Sequence, residues 1–174
     1  MARLRGAEGA GPVAELIRQR RGGDLRPIDE MLLLSPPVAE GWNALLGAVR
    51  GQLELDGSLR ELVILRIAVL NGADYEWQAH EPVARRCGFT DATLAAIRAG
   101  TEIPALDALE QAVLAYTDAM TRDVTVPDDV FAALAERLNP RELAELTAIV
   151  AVYNMVSRYV VALEVGVPAS GGRL

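Results

Sequence analysis

Residues 58–80 read SLRELVILRIAVLNGADYEWQAH, and the way this stretch folds decides the rest. Ser58-Leu59-Arg60-Glu61 has the form of a capping box, in which the Ser58 hydroxyl accepts from an early backbone N–H and Glu61 reaches back to the cap. Leu62, Leu65, Ile67, Ala68, Val69 and Leu70 then make a helix apolar almost all round, which belongs in a core or at a subunit contact. Asn71 and Gly72 are stop residues, and Asp74 is placed to cap a second helix. On that helix Glu76 and His80 stand four residues apart and share a face. His80 is the sole histidine of the chain. A helix, a glycine turn and a second helix bring Glu61 and His80 together across nineteen positions. Pro82, inside the second helix, predicts a kink or a restart.

Outward from this hairpin the chain continues as helices. Residues 1–11 are rich in Gly and Ala and read as a flexible N-terminus. Pro12 to Arg21 predicts a short helix ended by Gly22-Gly23. Ile28 to Leu34 is a short apolar piece, and Ser35-Pro36-Pro37 opens a helix through Arg50. Thr90-Asp91 opens a helix that stops at Gly100, and Asp107 opens another through about Arg122. Val124 to Val126 is the one β-leaning triplet. Pro127 to Leu138 is read as a helix with Pro127 as its first residue. Asn139 and Glu142 form a second capping box, leading into a helix that runs to about Glu164 and ends at Gly166, with Pro168 beyond it. Nothing reads as a sheet, so the expected fold is all-α, a bundle of orthogonal and antiparallel helices. The expected organisation is one helical domain over 12–166, with a tail at 167–174.

The 174 residues suit one domain and allow a sizeable core. They are 51% hydrophobic but 5% aromatic, so that core is aliphatic. A net charge of −7 argues against a nucleic-acid surface, which needs clustered cations. The single cysteine, Cys87, excludes an intrachain disulfide and a Cys-x-x-Cys pair, and reads as a small apolar filler on a helix. No apolar segment follows the basic residues of the N-terminus, so no signal peptide is read there. The apolar stretch from Leu146 to Leu163 is interrupted by Asn154, Ser157 and Arg158, which suits a bundle helix better than a membrane span. A cytoplasmic, soluble protein is expected. The apolar faces of 62–70 and 144–152 exceed the needs of a small monomer, so a homo-oligomer is expected as well.

The residues from Arg60 to Gly100, with Glu61, the turn Gly72-Ala73-Asp74-Tyr75-Glu76-Trp77 and His80 as the most specific part, resemble the carboxymuconolactone decarboxylase family. That family lies within the superfamily holding the alkylhydroperoxidase D-like (AhpD-like) proteins. The similarity extends into LLLSPPVAEGWNALLGAVR upstream and RELAELTAIVAVYNMVSRYVVALEVG downstream. The resemblance implies an all-helical domain that assembles as a dimer, trimer or hexamer. The peroxidase branch carries two cysteines in this turn, where Ala73 and Glu76 stand here. Thiol peroxidation needs an attacking thiolate and a resolving thiol, so that activity is not expected.

Without thiols, the chemistry falls to one imidazole and its carboxylates. A carboxylate beside an imidazole fixes its tautomer and suits it to proton transfer near neutral pH. Decarboxylation of a lactone acid or β-keto acid needs an electron sink in the substrate and a proton donor for the enolate carbon, and no cofactor. The expected roles are therefore His80 as general acid and base, with Glu61 or Glu76 orienting it. Tyr75 or Asn154 would bind a small carboxylated substrate, with Asp74 and Trp77 beside them. No metal is expected, since helical carboxylate sites repeat Glu-x-x-His on two helices. Each residue also has a structural reading: Glu61 as a cap, Glu76 as a first-turn acid, Trp77 as packing, and Tyr153, Asn154 and Arg158 as a buried polar network. An isomerase, dehydratase or hydrolase would use the same pair. A non-catalytic oligomeric relative that binds a small molecule stays open.

Overall fold

The computed structural model of the protein describes residues 2–101, 103 and 106–166. Met1, the expected tail at 167–174 and Pro168 lie outside the described residues. Among the described residues the regular structure is helical, with no strand. The Cα packing divides the chain into two compact units, 1–52 with 160–174, and 53–159.

The first unit holds α1 (Pro12–Arg21), α2 (Pro27–Leu32) and α3 (Pro36–Gly51). Each begins on proline, whose fixed φ suits a first turn and whose missing N–H is no loss there. Gly22 ends α1 in the left-handed region at φ 68°, where an L side chain would be strained. Ala14, Ile17, Ile28, Met31, Leu32, Ala39, Leu46 and Val49 are buried in this unit. Asp29 is also buried, and accepts from the Arg21 guanidinium at 2.7 Å and from the Arg26 backbone N–H at 2.8 Å. The N-terminal segment, expected to be flexible, makes hydrogen bonds within this unit. The Arg3 N–H donates to Leu163 O at 2.9 Å, Ala7 N–H to Glu30 O at 3.0 Å, and Arg18 to Gly9 O at 2.8 Å.

The second unit is arranged around α4 (Gly57–Leu70), which packs against α5 (Asp74–Arg86), α6 (Asp91–Ala99) and α7 (Ala108–Arg122). Leu62, Val63, Ile64, Leu65 and Ile67 are essentially inaccessible. Full burial of such side chains stabilises by about 1.5–3 kcal/mol each, before the entropy of ordering them. The chain's own helices thus cover most of this apolar face, with Val69 and Leu70 half-buried.

The start of α4 differs from its expected form. Asp56 is the cap; its carboxylate accepts from the Ser58 N–H at 2.7 Å and from the Ser58 hydroxyl at 2.6 Å. A carboxylate is a strong cap, and once it holds this position Glu61 is released from any capping role. Asp74 is likewise the first residue of α5, with Ala73 as the cap. Pro82 does not restart the helix: α5 runs through it to Arg86. Cys87 is not helix filler: it is the exposed residue that closes α5.

Thr90 and Asp107 cap α6 and α7 as their sequences predict, and Gly100 closes α6 at φ 67°. The β-leaning triplet is a connection, with Val124 itself at φ 67° and 81% exposed. Pro127 caps α8 (Asp128–Ala135) instead of starting it, and the helix stops short of Leu138. Asn139 and Glu142 form their reciprocal box at the start of α9 (Pro140–Ala162). Glu145, on the first turns of α9, accepts from the backbone N–H groups of Glu54 and Leu55 at 2.8 and 2.9 Å, and from Arg141 at 2.9 Å.

Candidate functional site

The glycine turn after α4 returns the chain so that α5 lies against it. Gly72 is at φ 63°, the left-handed conformation that Asn71-Gly72 predicts. This return sets His80 Nδ1 2.7 Å from Glu61 Oε2. Both side chains are buried, 7% and 2% exposed. Glu76, one turn before His80, places Oε2 3.7 Å from the other ring nitrogen, Nε2. The imidazole therefore lies between two buried carboxylates, one from each helix of the hairpin. Tyr153 of α9 meets the ring edge-on, with centroids 5.3 Å apart and planes at 89°.

The tautomer follows from Glu61. Burial pushes its carboxyl pKa up, but the His80 hydrogen bond, the His80 charge and neighbouring Arg60 outweigh burial and hold it below its ordinary value. Arg60 Nε lies 3.2 Å from Glu61 Oε1. An ionised carboxylate only accepts, so the proton of this contact sits on Nδ1. Proton exchange with any third group is then the work of Nε2, on the Glu76 side.

The other expected site residues separate into two groups. Asn154 is 8% exposed and belongs to a polar web: Asn71 Nδ2 and Arg158 Nη1 donate to its Oδ1 at 3.0 and 2.6 Å. Its own Nδ2 donates to Thr121 Oγ1 at 3.0 Å and to the Val150 carbonyl. These bonds occupy the amide in structure. Asp74 is exposed and pairs with Arg98 at 2.9 Å, while the Arg98 guanidinium stacks 4.9 Å over the Trp77 ring. Trp77 is buried, and its Nε1 donates to Glu81 at 3.0 Å. Asp74, Trp77 and Arg98, with Ala68, Val69 and Gly72, line a small hollow of about 150 Å³. Tyr75 is half-buried on the first turn of α5.

Arg60 and Tyr153 bear on the imidazole pair although the sequence assigns them no role there. Adjacency to Glu61 is the one signal for Arg60; for Tyr153 the signal is a polar tip in an otherwise apolar helix. Among the described residues no group of three His, Cys, Asp or Glu side chains has the geometry to hold a metal ion. Nor is any of their helices long and apolar enough to cross a membrane.

Among the described residues the protein is thus all-helical, with a hairpin of two helices that buries an imidazole between two glutamates. Residues 36–119 match the model of the carboxymuconolactone decarboxylase family. Solved structures share the fold. A protein from Agrobacterium tumefaciens described as a putative antioxidant defence protein AhpD is 24% identical, with a TM-score of 0.72 over 79% of this chain and 95% of that one. A peroxidase-related protein from Silicibacter sp. TM1040 is 17% identical, with a TM-score of 0.76 over 96% of each chain. The debrominase Bmp8 is 18% identical, with a TM-score of 0.73 over 91% of this chain and 85% of that one. Comparison with curated proteins finds no match.

Proposed function

We propose that the protein is a cofactor-independent lyase, a decarboxylase or a closely related proton-transfer enzyme, acting on a small carboxylated substrate, with cyclic lactone acids as one class. The observation that carries this reading is the buried 2.7 Å contact between His80 Nδ1 and Glu61. Glu61 holds the Nδ1 proton, so the doubly protonated ring gives its Nε2 proton to the enolate carbon left by departing CO₂, becomes the neutral Nδ1–H tautomer, and takes a proton from solvent afterwards. Glu76, 3.7 Å from Nε2, stabilises the ring when it carries both protons. Tyr75 would hydrogen-bond the substrate at the start of α5. Asp74 and Trp77, in their own hollow with Arg98, would border the substrate rather than touch the reacting atoms. Asn154 would support the wall through its polar web. A second copy of the chain, as a dimer, trimer or hexamer, would complete the enclosure.

Support comes from the family match and from the enzymes that share the fold, among them a debrominase solved with 2,3,4-tribromopyrrole, itself a small ring. Two-thiol peroxidation is no part of the proposal, since the chain has one cysteine and it closes the far end of α5. The test is CO₂ release from a panel of carboxylated lactones and β-keto acids by the wild type and by His80→Asn. A loss of about 10²–10⁴-fold in kcat in the variant is expected. Equal turnover would end the assignment of His80. Binding without turnover would favour a non-catalytic small-molecule-binding relative.

A further inference from the structure

The two carboxylate oxygens of Glu61 have different partners. Oε2 meets His80 Nδ1 at 2.7 Å, and Oε1 accepts from the Arg60 Nε–H at 3.2 Å. Adjacent residues of a helix point about 100° apart and do not ordinarily face one another. The Arg60 side chain therefore turns across the surface of α4 to reach its neighbour. It is 20% exposed against 2% for Glu61, so it reaches the buried carboxylate from the solvent side.

A carboxylate held by one donor can turn about its last bond, a soft sp³–sp² torsion, whereas one held at both oxygens has its plane fixed. With Oε1 taken, Oε2 is the oxygen left for the ring, and as part of an ionised group it only accepts. Arg60 also supplies charge. Burial pushes the Glu61 carboxyl up, and His80 and then Arg60 bring it below its ordinary value. The titratable and charged groups around the pair are Arg60 on α4, His80 and Glu76 on α5, and Tyr153 of α9 at the ring edge. Of these, Arg60 alone is a cation at every working pH, so its hold on Glu61 does not depend on the state of the ring.

We infer that Arg60 is a positioning residue of this site: its bond to Oε1 keeps Oε2 on His80 Nδ1, and so keeps the ring proton on that nitrogen. For its effect on turnover the inference rests on the reading of His80 as the proton-transfer group. The test needs no substrate, so its failure and the failure of that reading are separate results. His80 is the sole histidine, and isotope-labelled histidine therefore reports the ring nitrogens of this residue alone by nuclear magnetic resonance. Arg60→Gln should speed exchange of the Nδ1 proton with water at least about 10-fold, the size expected when a hydrogen bond to a charged group is lost. On acidification the Nδ1 contact should be lost at a higher pH in Arg60→Gln than in the wild type, because Glu61 takes up its proton more readily without the guanidinium. Backbone amide exchange along α5 should stay as in the wild type, which separates positioning from a loosened hairpin. Arg137→Gln, at an exposed arginine beyond α8, should change none of these. Circular dichroism establishes that each variant is folded; should Arg60→Gln unfold, Arg60→Met, which keeps the unbranched stem, gives the same reading. Unchanged Nδ1 exchange and an unchanged response to acid would overturn the inference. So would an equal effect of Arg137→Gln, or faster Nδ1 exchange matched by equally faster amide exchange along α5.

Discussion

Glu61 and His80 meet at 2.7 Å from two helices joined by a glycine turn, and the pair is buried from solvent. Its first consequence is a pH-dependent contribution to stability. The folded chain holds the Glu61 pKa below its ordinary value of 4.5, so as pH falls through that value the unfolded chain takes up the proton first. The Glu61 contribution is thus fully present above that value and is lost as pH falls through the folded pKa. Glu61→Gln should cost on the order of 1–3 kcal/mol at neutral pH. The difference from the wild type should shrink below pH 4.5. Urea unfolding across an acid series measures it, and a difference constant down to full protonation would contradict it.

Removing the other partner is expected to be worse. His80→Ala leaves Glu61 buried without its hydrogen-bonding ring, a situation that costs about 3–5 kcal/mol. Adding Glu61→Gln to His80→Ala should recover part of that loss, because a neutral amide is cheaper to bury than a carboxylate left with Arg60 as its remaining partner. The double-mutant cycle should therefore be non-additive by more than ~0.5 kcal/mol. Strict additivity would mean that the two side chains do not depend on each other.

Much of this hairpin is legible in the sequence, and the misreadings have a common cause. Asn71-Gly72 has one good conformation, and the i, i+4 spacing of Glu76 and His80 places both on one face, so the site geometry follows from local rules. Ser58-x-x-Glu61 also satisfies a local rule, but Asp56, two positions earlier, caps the Ser58 N–H and starts the helix before Ser58 can. The remote partners of Glu61 and Asn154 are tertiary: no spacing rule tells that Asn154 will find Asn71 and Thr121. The restart read at Pro82 does not occur, because propensity counts its missing N–H and not the rest of α5, which continues through it.

Two of the four expected substrate-binding residues, Asn154 and Asp74, should respond differently to truncation. Asn154→Ala leaves the Asn71 amide, the Thr121 hydroxyl and Arg158 short of a partner, and should destabilise by about 1–3 kcal/mol. Asp74→Ala breaks only an exposed ion pair with Arg98, and should change stability by less than ~1 kcal/mol. Thermal and urea unfolding of both variants check this; a stable Asn154 variant would show the web to be dispensable.

Val124 is the reverse case, a residue whose replacement should help. At φ 67° its branched Cβ crowds the backbone, and at 81% exposure the side chain has little packing to lose. Strain of this kind is about 1–2 kcal/mol, against roughly 0.5–1 kcal/mol of extra chain entropy for glycine. Val124→Gly is expected to be neutral to stabilising by up to ~1 kcal/mol in urea unfolding, and a marked loss of stability would show that the valine serves another purpose.

The carboxylate of Glu145 gathers the backbone N–H groups of Glu54 and Leu55, ninety positions earlier in the chain. Such a clasp closes only after the intervening polypeptide has been brought round, so its entropic cost falls late in assembly. The approach to the Glu61 helix should then be the last part to lock and the first to loosen. Glu145→Gln would speed unfolding while leaving the refolding rate nearly untouched in stopped-flow measurements, a kinetic signature of a latch and not of a nucleus.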